Sequence, residues 1–359
     1  MKRTTLLAAA LLACAICSAE TIKGSDPKVS YIGRTEVAED GSVSFDWSAT
    51  TIRLSFKGKT LLMACSDTKK DYFNLWIDGE QKAIEDKVVK VAGDTLITLF
   101  KAKKAATHTV ILQKRTEGEQ GTFSLRELTT DGTFLQAPAP KPRLIEFIGD
   151  SYTCGYGTEA LHRSDPFRPE EENPCRTYAD ILGRMYGAEA VHISHSGRGI
   201  VRNWGDYGEG EHMVKLYAQT FDQHSDAAWT PTYKADLVII YLGTNDFSVN
   251  KQPSLGLWCA YYKKLLQKVR EFHGPDVPIL CLASPCDELM DDYVQAAVDR
   301  CGLENVHAAS ILPGCYRMDD EDLGASWHPN YNGHRKIASV VAPFISSIMG
   351  WELPVWFNE

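Results

Sequence analysis

A proline-rich stretch at residues 136–142 divides the sequence into two parts with different hydrophobic periodicity. Before this stretch, apolar and polar residues alternate in short runs, a pattern of period two that indicates half-buried β-strands. After it, apolar runs of strand length alternate with longer segments of helical length. A chain of 359 residues also exceeds the length that one hydrophobic core usually spans. The sequence therefore predicts two domains joined by a stiff linker.

The first part, residues 20–135, reads as a series of short strands. One of them, at residues 72–77, leads into Asp78-Gly79, a strong hairpin-turn signal. Strand-like runs occur at 43–47, 52–56, 72–77, 88–91, 96–100 and 107–112. Their spacing of roughly ten residues is typical of a β-sandwich.

The second part, residues 143–359, alternates strand and helix. The run of five apolar residues at 237–241 is typical of a strand that is buried on both faces of a parallel sheet. We predict strands at 144–148, 190–193, 237–241 and 278–282, and helices at 178–186, 257–272, 293–301 and 333–349. This order predicts a three-layer α/β domain with a parallel sheet.

The N-terminus has the layout of a signal peptide, which we assign to residues 1–19. Lys2 and Arg3 precede the apolar run Leu6–Ile16, and small residues follow it. An alternative is a lipoprotein signal in which Cys14 carries the lipid. Both predict export to the periplasm or the cell exterior. Neither this run nor any later one reaches the roughly 20 apolar residues that a membrane span needs.

Charge and cysteine content exclude several classes of partner. The formal net charge of −9 argues against a nucleic-acid partner, which requires a concentrated basic surface. Eight of the ten cysteines lie beyond the predicted signal peptide, and their spacing does not fit a paired zinc motif. Buried thiols with one or two disulfides are the expectation. We predict neither a metal nor another cofactor.

Four short polar motifs follow predicted strands or precede the last helix. They are Gly149-Asp150-Ser151, Ser196-Gly197-Arg198-Gly199, Gly243-Thr244-Asn245-Asp246 and Trp327-His328-Pro329. The carboxyl ends of parallel strands meet at one edge of a sheet, where ligands and catalytic groups gather. The motifs are therefore expected to meet in one cleft. The alternative is that they are only helix caps and turns, which favour the same residue types.

Together the motifs resemble the SGNH (GDSL-like) hydrolase superfamily, with the signature residues at Ser151, Gly197, Asn245 and His328. Residues 149–157 and 196–203, and a β-domain that contains Ile77-Asp78-Gly79, further resemble carbohydrate esterase family 2. The resemblance covers nearly the whole chain beyond the signal peptide. It implies a jelly-roll-like β-sandwich before an SGNH domain, and removal of acetyl groups from xylan, mannan or glucomannan.

The resemblance also implies the roles of the signature residues. Ser151 would be the nucleophile and His328 its general base, because a serine hydroxyl needs a neighbouring base to attack an ester. The backbone N–H groups of Ser151 and Gly197 and the amide of Asn245 would form the oxyanion hole. Glycine at 197 is expected because a Cβ could block the oxyanion. Two acids, Asp150 and Asp246, and four histidines, His192, His195, His307 and His334, are expected to be structural.

One departure from the superfamily concerns the acid that orients the histidine. Most members place an aspartate two or three residues before it, where this chain has Ser326 and Ala325. Asp322 is six residues away and fits poorly. The sequence therefore predicts a Ser-His dyad in which a backbone carbonyl orients His328.

Aromatic side chains are expected to contact the sugar rings of an acetylated polysaccharide or oligosaccharide. Trp327 adjoins His328, and Trp204 and Tyr207 follow the second motif. Core packing is the alternative for each of them. Two other functions are kept open: a carbohydrate-binding protein without turnover, and a lipase or thioesterase of the same superfamily.

Overall fold

The computed structural model describes residues 19–210, 212–223, 227–249 and 252–352. The predicted signal peptide up to residue 18, including Cys14, lies outside the described residues. Within them, no helix combines the length and apolarity that crossing a membrane requires.

The N-terminal domain is an antiparallel sheet of ten strands. Their bounds are β1 Glu20–Lys23, β2 Val29–Ile32, β3 Glu36–Val37, β4 Val43–Phe45, β5 Thr51–Asp67, β6 Asp71–Ile77, β7 Lys87–Val91, β8 Thr95–Lys114, β9 Phe123–Thr130 and β10 Thr133–Leu135. The main path runs β3-β4-β9-β5-β8-β6-β7, while β1 pairs with β9, and β2 and β10 pair with β5.

This sheet folds over on itself to enclose a core. β4 and β6 are four positions apart in the strand order, which corresponds to about 19 Å in a flat sheet. Yet the rings of Phe45 on β4 and Phe73 on β6 are only 6.5 Å apart, and Phe123 on β9 lies 4.7 Å from Phe73. The inner side chains therefore face one another across two layers, as predicted for a β-sandwich.

The predicted tight turn at Asp78-Gly79 is not formed, although the strands on either side of it do pair as a hairpin. β6 does pair with β7, but residues 78–86 separate the two strands. Asp78 adopts a φ of 55°, and its carboxylate accepts hydrogen bonds from the Thr109 backbone N–H at 2.9 Å and from Nδ1 of His108 at 2.6 Å. The turn signal therefore marks the start of a longer loop that the side chain of Asp78 fixes to β8.

The C-terminal domain contains a five-stranded parallel sheet, with helices between its strands. The strands are β11 Arg143–Gly149, β12 Ala188–Ser194, β13 Leu237–Tyr241, β14 Ile279–Ala283 and β15 Val306–Ser310. The helices are α1 Ser151–Cys154, α2 Tyr178–Met185, α3 His212–Tyr217, α4 Leu255–His273, α5 Met290–Arg300 and α6 Tyr331–Met349. The segment 136–142, which we propose as the linker, lies between β10 and β11.

Helices cover both faces of the parallel sheet. Leu182 of α2 and Val341 of α6 pack in one core, whereas Leu265 of α4 and Val294 of α5 pack in the other. The predicted three-layer α/β domain is therefore confirmed. The strand order is β12-β11-β13-β14-β15. After β11 the chain adds β12 on one side of it, and then β13, β14 and β15 on the other side. The carboxyl end of β11 is thus the switch point of the sheet, where ligand sites form in open α/β folds.

The two domains share a closely packed interface. The guanidinium of Arg34, from the sandwich, is fully buried and lies 3.8 Å from the ring of Trp229. It donates hydrogen bonds to the backbone carbonyls of Tyr217 and Gln219 at 2.5 and 2.7 Å. Trp47 of the sandwich also packs into the core of the α/β domain. A buried cation with carbonyl and aromatic partners needs precise packing, so this interface orients the domains specifically.

Candidate active site

The candidate nucleophile, Ser151, stands at the switch point of the sheet. β11 ends at Gly149, and Asp150 caps the short helix α1 by accepting a hydrogen bond from the Tyr152 N–H at 3.2 Å. A Cβ on Gly149 would lie 2.0 Å from Oγ1 of Thr153, so only glycine permits this turn. The turn therefore presents Ser151 at the carboxyl edge of the sheet.

The candidate base, His328, reaches this serine from the loop before α6. Its Nε2 atom lies 2.8 Å from Oγ of Ser151, a normal hydrogen-bond distance. The half-buried ring packs against Tyr156, with 4.4 Å between ring centroids, and meets the edge of Tyr152 at 5.5 Å. Burial among these rings disfavours the imidazolium and lowers the pKa of His328 to about 4. The base is therefore neutral at pH 7.

A backbone carbonyl orients the imidazole. Nδ1 of His328 lies 3.0 Å from the carbonyl oxygen of Ser326. The N–H at Nδ1 donates to this carbonyl, which leaves Nε2 free to accept the serine proton. Ser326 and Trp327 have positive φ angles of 51° and 62°, which are unfavourable for residues with a Cβ. Hydrogen bonds of 3.0 Å from their N–H groups to the carbonyls of Asp165 and Arg163 hold them there.

Asp322 does not contact the imidazole. Its fully buried carboxylate accepts hydrogen bonds from the Arg317 N–H at 2.6 Å and from Nζ of Lys336 at 2.5 Å. Among the described residues, no carboxylate is hydrogen-bonded to His328. Asp322 therefore fixes the loop before the histidine rather than its ring.

Gly197, a candidate oxyanion donor, lies in the loop after β12. Its φ is +78°, and a Cβ there would come no closer than 3.7 Å to another atom, the Cβ of Trp204. The backbone conformation itself favours glycine at this position, and clearance for an oxyanion stays a prediction. The Gly197 carbonyl accepts a hydrogen bond of 2.8 Å from the Trp204 N–H, which closes the loop.

The amide of Asn245, the other candidate donor, already has two acceptors. Its Nδ2 atom lies 2.8 Å from the Arg198 carbonyl and 3.1 Å from Oδ2 of Asp150. Burial and the nearby charge of Asp246 raise the pKa of Asp150 to about 7. Because the Asn245 amide already has two acceptors, it could donate to an oxyanion only if the oxyanion shared the hydrogen that is now directed at Asp150.

Asp246 secures the loop that follows Gly197. Its buried carboxylate accepts three backbone hydrogen bonds, from Ile200 at 2.9 Å, Val201 at 2.6 Å and Arg202 at 2.9 Å. Desolvation nevertheless raises its pKa to about 6. This carboxylate therefore joins the third motif to the segment directly after the second motif.

The three aromatic candidates are exposed rather than packed in a core. The exposed fractions are 51% for Trp327, 72% for Trp204 and 65% for Tyr207. The Arg163 guanidinium lies 4.7 Å from the Trp327 ring. Trp327 adjoins His328, and Trp204 bonds the Gly197 carbonyl, so both exposed rings stand where a ligand contact is typical.

None of the four other histidines is hydrogen-bonded to Ser151 in the described part of the chain. His192 lies between the Thr153 carbonyl, at 3.1 Å, and Asp180, at 3.2 Å, whereas His307 bonds Asn305 at 2.9 Å. The ring of His334 lies 6.5 Å from that of Tyr152. Burial and the nearby His328 together lower the pKa of His334 to about 3.

His195 has the most charged surroundings of these histidines. Its Nδ1 lies 2.7 Å from an Asp222 carboxylate oxygen. Burial alone would lower its pKa, but hydrogen bonds to Asp222 and Glu119 raise it to about 10. His195 is therefore an imidazolium at neutral pH.

All eight cysteines of the described chain are free thiols, so the disulfides considered from the sequence are not formed.

Sequence reasoning did not find two groups of residues beside the site. Tyr156, which packs on His328, also stacks on Phe167 with 4.0 Å between centroids. Tyr156 lies within the quoted resemblance at 149–157, the one signal that could have identified it. Glu117 of the sandwich belongs to no sequence motif, yet its carboxylate accepts a hydrogen bond from the Ser196 N–H.

Comparison with known proteins identifies the family. Residues 147–336, more than half of the chain, match the GDSL-like Lipase/Acylhydrolase family, and residues 31–138 match the Carbohydrate esterase 2 N-terminal domain. The chain belongs to the GDSL-like lipase/acylhydrolase family. It is thus a carboxylic ester hydrolase, and the predicted resemblance to carbohydrate esterase family 2 is confirmed.

Within this GDSL-like family, relatives match along both domains. The cellulase/esterase CelE of Acetivibrio thermocellus is 29% identical over 92% of this chain, which spans 41% of that relative's length. An acetylxylan esterase / glucomannan deacetylase of Cellvibrio japonicus is 26% identical over 93% of this chain and 92% of its own. A solved family two carbohydrate esterase from Clostridium thermocellum, in complex with cellohexaose, is 29% identical, covers 90% of this chain and 100% of its own, and superimposes with a TM-score of 0.82.

Proposed function

We propose that the protein is an exported serine esterase that removes O-acetyl groups from plant-type polysaccharides such as xylan, mannan or glucomannan. The contact of 2.8 Å between Nε2 of His328 and Oγ of Ser151 carries the catalytic part of this proposal. The similarity to an acetylxylan esterase / glucomannan deacetylase supports the substrate class. The signal-peptide pattern at residues 1–19 supports export.

The first half of the reaction forms an acetyl-enzyme. Neutral His328 takes the proton from Ser151 as Oγ attacks the acetyl carbonyl carbon. The carbonyl oxygen becomes an oxyanion, to which the N–H groups of Ser151 and Gly197 and the Asn245 amide donate. One such donor is worth about 3 kcal/mol in a serine protease. The C–O bond to the sugar then breaks, and His328 returns the proton to the departing sugar oxygen.

The second half releases acetate. His328 takes a proton from a water molecule, whose oxygen attacks the acetyl carbon, and the ester bond to Oγ of Ser151 breaks as the proton returns to the serine. Throughout both halves the Ser326 carbonyl accepts the hydrogen bond from the Nδ1–H group of His328. This carbonyl supplies a dipole rather than a full charge, so it fixes the tautomer without strongly stabilising the imidazolium.

The exposed aromatics support a sugar ligand. The apolar C–H face of a sugar ring can pack on the flat side chain of Trp327, Trp204 or Tyr207. Arg163, at 4.7 Å from the Trp327 ring, adds hydrogen-bond donors at that edge. A carbohydrate-binding protein without turnover would need the same aromatics. It would not need a serine and a neutral histidine in hydrogen-bond contact, so we favour the esterase.

Acetate release from acetylated xylan and acetylated glucomannan, by the wild type and by Ser151→Ala, tests this proposal. We expect release with the wild type and none above background with the variant. If the protein released only longer-chain carboxylic acids, from other esters, the result would favour the lipase alternative. Binding of these polysaccharides without release of acetate would support the non-catalytic alternative.

A further inference from the structure

Strand β12 is attached to the sandwich domain at both of its ends. At the amino end, the Glu189 carboxylate pairs with the Arg53 guanidinium, with 2.8 Å between Nη2 and Oε2. Just beyond the carboxyl end, the Ser196 N–H donates to Oε2 of Glu117 at 2.7 Å. Arg53 and Glu117 belong to the sandwich, and all three charged side chains are buried. The seven-residue strand leading to the oxyanion loop is therefore held between two interdomain contacts.

Glu117 also contacts the element that carries the nucleophile. The Cys154 thiol, at the end of α1, lies 3.6 Å from the same carboxylate oxygen. The backbone N–H of Glu117 donates to Oε2 of Glu172 at 3.1 Å. Burial raises the pKa of Glu117. Burial and the charge of Glu117 raise the pKa of Glu172 well above the usual range. One sandwich residue thus touches the segments that bear Ser151 and Gly197.

The residue before Ser196 is attached to the sandwich as well. The His195 imidazolium pairs with Asp222, whose own backbone N–H donates to Asp46 of the sandwich at 2.8 Å. Nε2 of His195 lies 3.6 Å from Glu119, also from the sandwich. Both residues that precede Gly197 are therefore fixed by groups that reach across the domain interface.

Glu117, Cys154 and Glu172 could also be considered as a metal site, since their ligand atoms lie within 4.8 Å of one another. Two of these groups already have other uses. Oε2 of Glu117 accepts the Ser196 N–H, and Oε2 of Glu172 accepts the Glu117 N–H. The contacts therefore favour a role in holding backbone rather than a cation.

The geometry points to Glu117 as a positioning residue for the oxyanion hole: its carboxylate, brought from the sandwich domain, holds the Ser196 amide so that the next amide, that of Gly197, faces the cleft. This inference rests on the proposed esterase function. An oxyanion donor acts only if it is fixed in place before the reaction. A displacement of about 1 Å from such a position can reduce the rate about 100-fold. The sandwich domain is then part of the catalytic apparatus.

Steady-state kinetics on an aryl acetate, with thermal unfolding alongside, test this inference in the full-length chain. Glu117→Ala removes the acceptor, and we expect kcat to fall about 30-fold or more while KM stays within about threefold, because the oxyanion hole acts in the transition state. Glu117→Gln keeps an acceptor oxygen and should recover most of this loss. The matched control is Glu189→Gln, a buried interdomain carboxylate at the other end of β12, which should lower Tm but leave kcat within about twofold.

Several results would overturn the inference. A folded Glu117→Ala with wild-type kcat would show that Ser196 needs no such support. An equal fall of kcat in Glu189→Gln would show a general effect of weakening the interface. If Glu117→Ala does not fold, Glu117→Asp decides, since it withdraws the carboxylate by one methylene: wild-type kcat would refute positioning, and a fall of about fivefold or more with near-native Tm would support it. Failure of the proposed function is separate, because the wild type would then show no hydrolysis that Ser151→Ala abolishes.

Discussion

Nδ1 of His328 donates a hydrogen bond of 3.0 Å to the carbonyl oxygen of Ser326, two residues earlier in the same loop. This contact occupies the place that a carboxylate takes in a Ser-His-Asp triad. It exists because Ser326 and Trp327 both adopt left-handed backbone angles, which bend the loop so that the carbonyl faces the ring. The backbone strain of these two residues thus gives the imidazole its orientation.

The acids near this loop are predicted to have little effect on catalysis. Asp322→Asn should reduce kcat by less than about tenfold, or about 1.4 kcal/mol, because Asp322 bonds Arg317 and Lys336 rather than His328. It should lower Tm, since a buried partner of a cation is neutralised. Two controls, the half-buried Asp319→Asn and the exposed Asp320→Asn, should also cost less than about tenfold. His328→Ala should remove nearly all activity. A loss in Asp322→Asn as large as that in His328→Ala would refute the dyad.

The acid limb of the pH profile should lie unusually low. Protonated His328 cannot accept the serine proton, so kcat/KM falls as the pH drops through the pKa of the free enzyme's base. Burial lowers that pKa to about 4, whereas an ordinary histidine titrates near about 6.5. We expect no loss assignable to His328 between about pH 5.5 and 7, and an acid limb centred near 4. Measured on an aryl acetate, a limb governed by His328 near pH 6.5 would contradict the desolvated base.

The exposed aromatics should matter for polymers more than for small esters. Trp327→Ala, Trp204→Ala and Tyr207→Ala should each lower kcat/KM on acetylated xylan by about fivefold or more, or about 1 kcal/mol, while changing the rate on an aryl acetate by less than about twofold. Leu96→Ala, a similarly exposed apolar position on the sandwich, is the control. Equal effects on both substrates would instead indicate that the aromatic residue supports the catalytic loop.

Short acyl groups should be preferred. The resemblance to acetyl esterases predicts that aryl acetate is cleaved at least about tenfold faster than aryl butyrate, a barrier difference of about 1.4 kcal/mol. Initial rates across a series of acyl lengths measure this directly. A rate that rises with chain length would favour a lipase.

The place of each candidate site residue in the fold could be predicted because that information is local. Each signature residue follows a strand or precedes a helix, and parallel strands bring such positions to one edge. The absence of an acid at 325 and 326 likewise pointed to a carbonyl, although only the coordinates identify the carbonyl as that of Ser326.

Features that depend on distant contacts could not be predicted in this way. β15, at residues 306–310, was missed because Val-His-Ala-Ala-Ser carries no apolar run, and the strand lies at the sheet edge, where it is only part-buried. The two runs at 96–100 and 107–112 are one long strand, β8, because pairing with β5 overrides the polar residues between them. The Glu117–Ser196 contact joins residues 79 positions apart in different domains, so no local pattern marks it.

Covalent labelling tests the central claim, that Ser151 is the nucleophile, most directly. Incubation with a serine-directed phosphonate, followed by peptide mass spectrometry, should place one adduct on Ser151, because its hydroxyl alone is hydrogen-bonded to the neutral His328 among the described residues. Inactivation should follow the extent of labelling, and His328→Ala should react far more slowly. An adduct on another serine that accounts for inactivation, or full esterase activity in Ser151→Ala, would contradict the account.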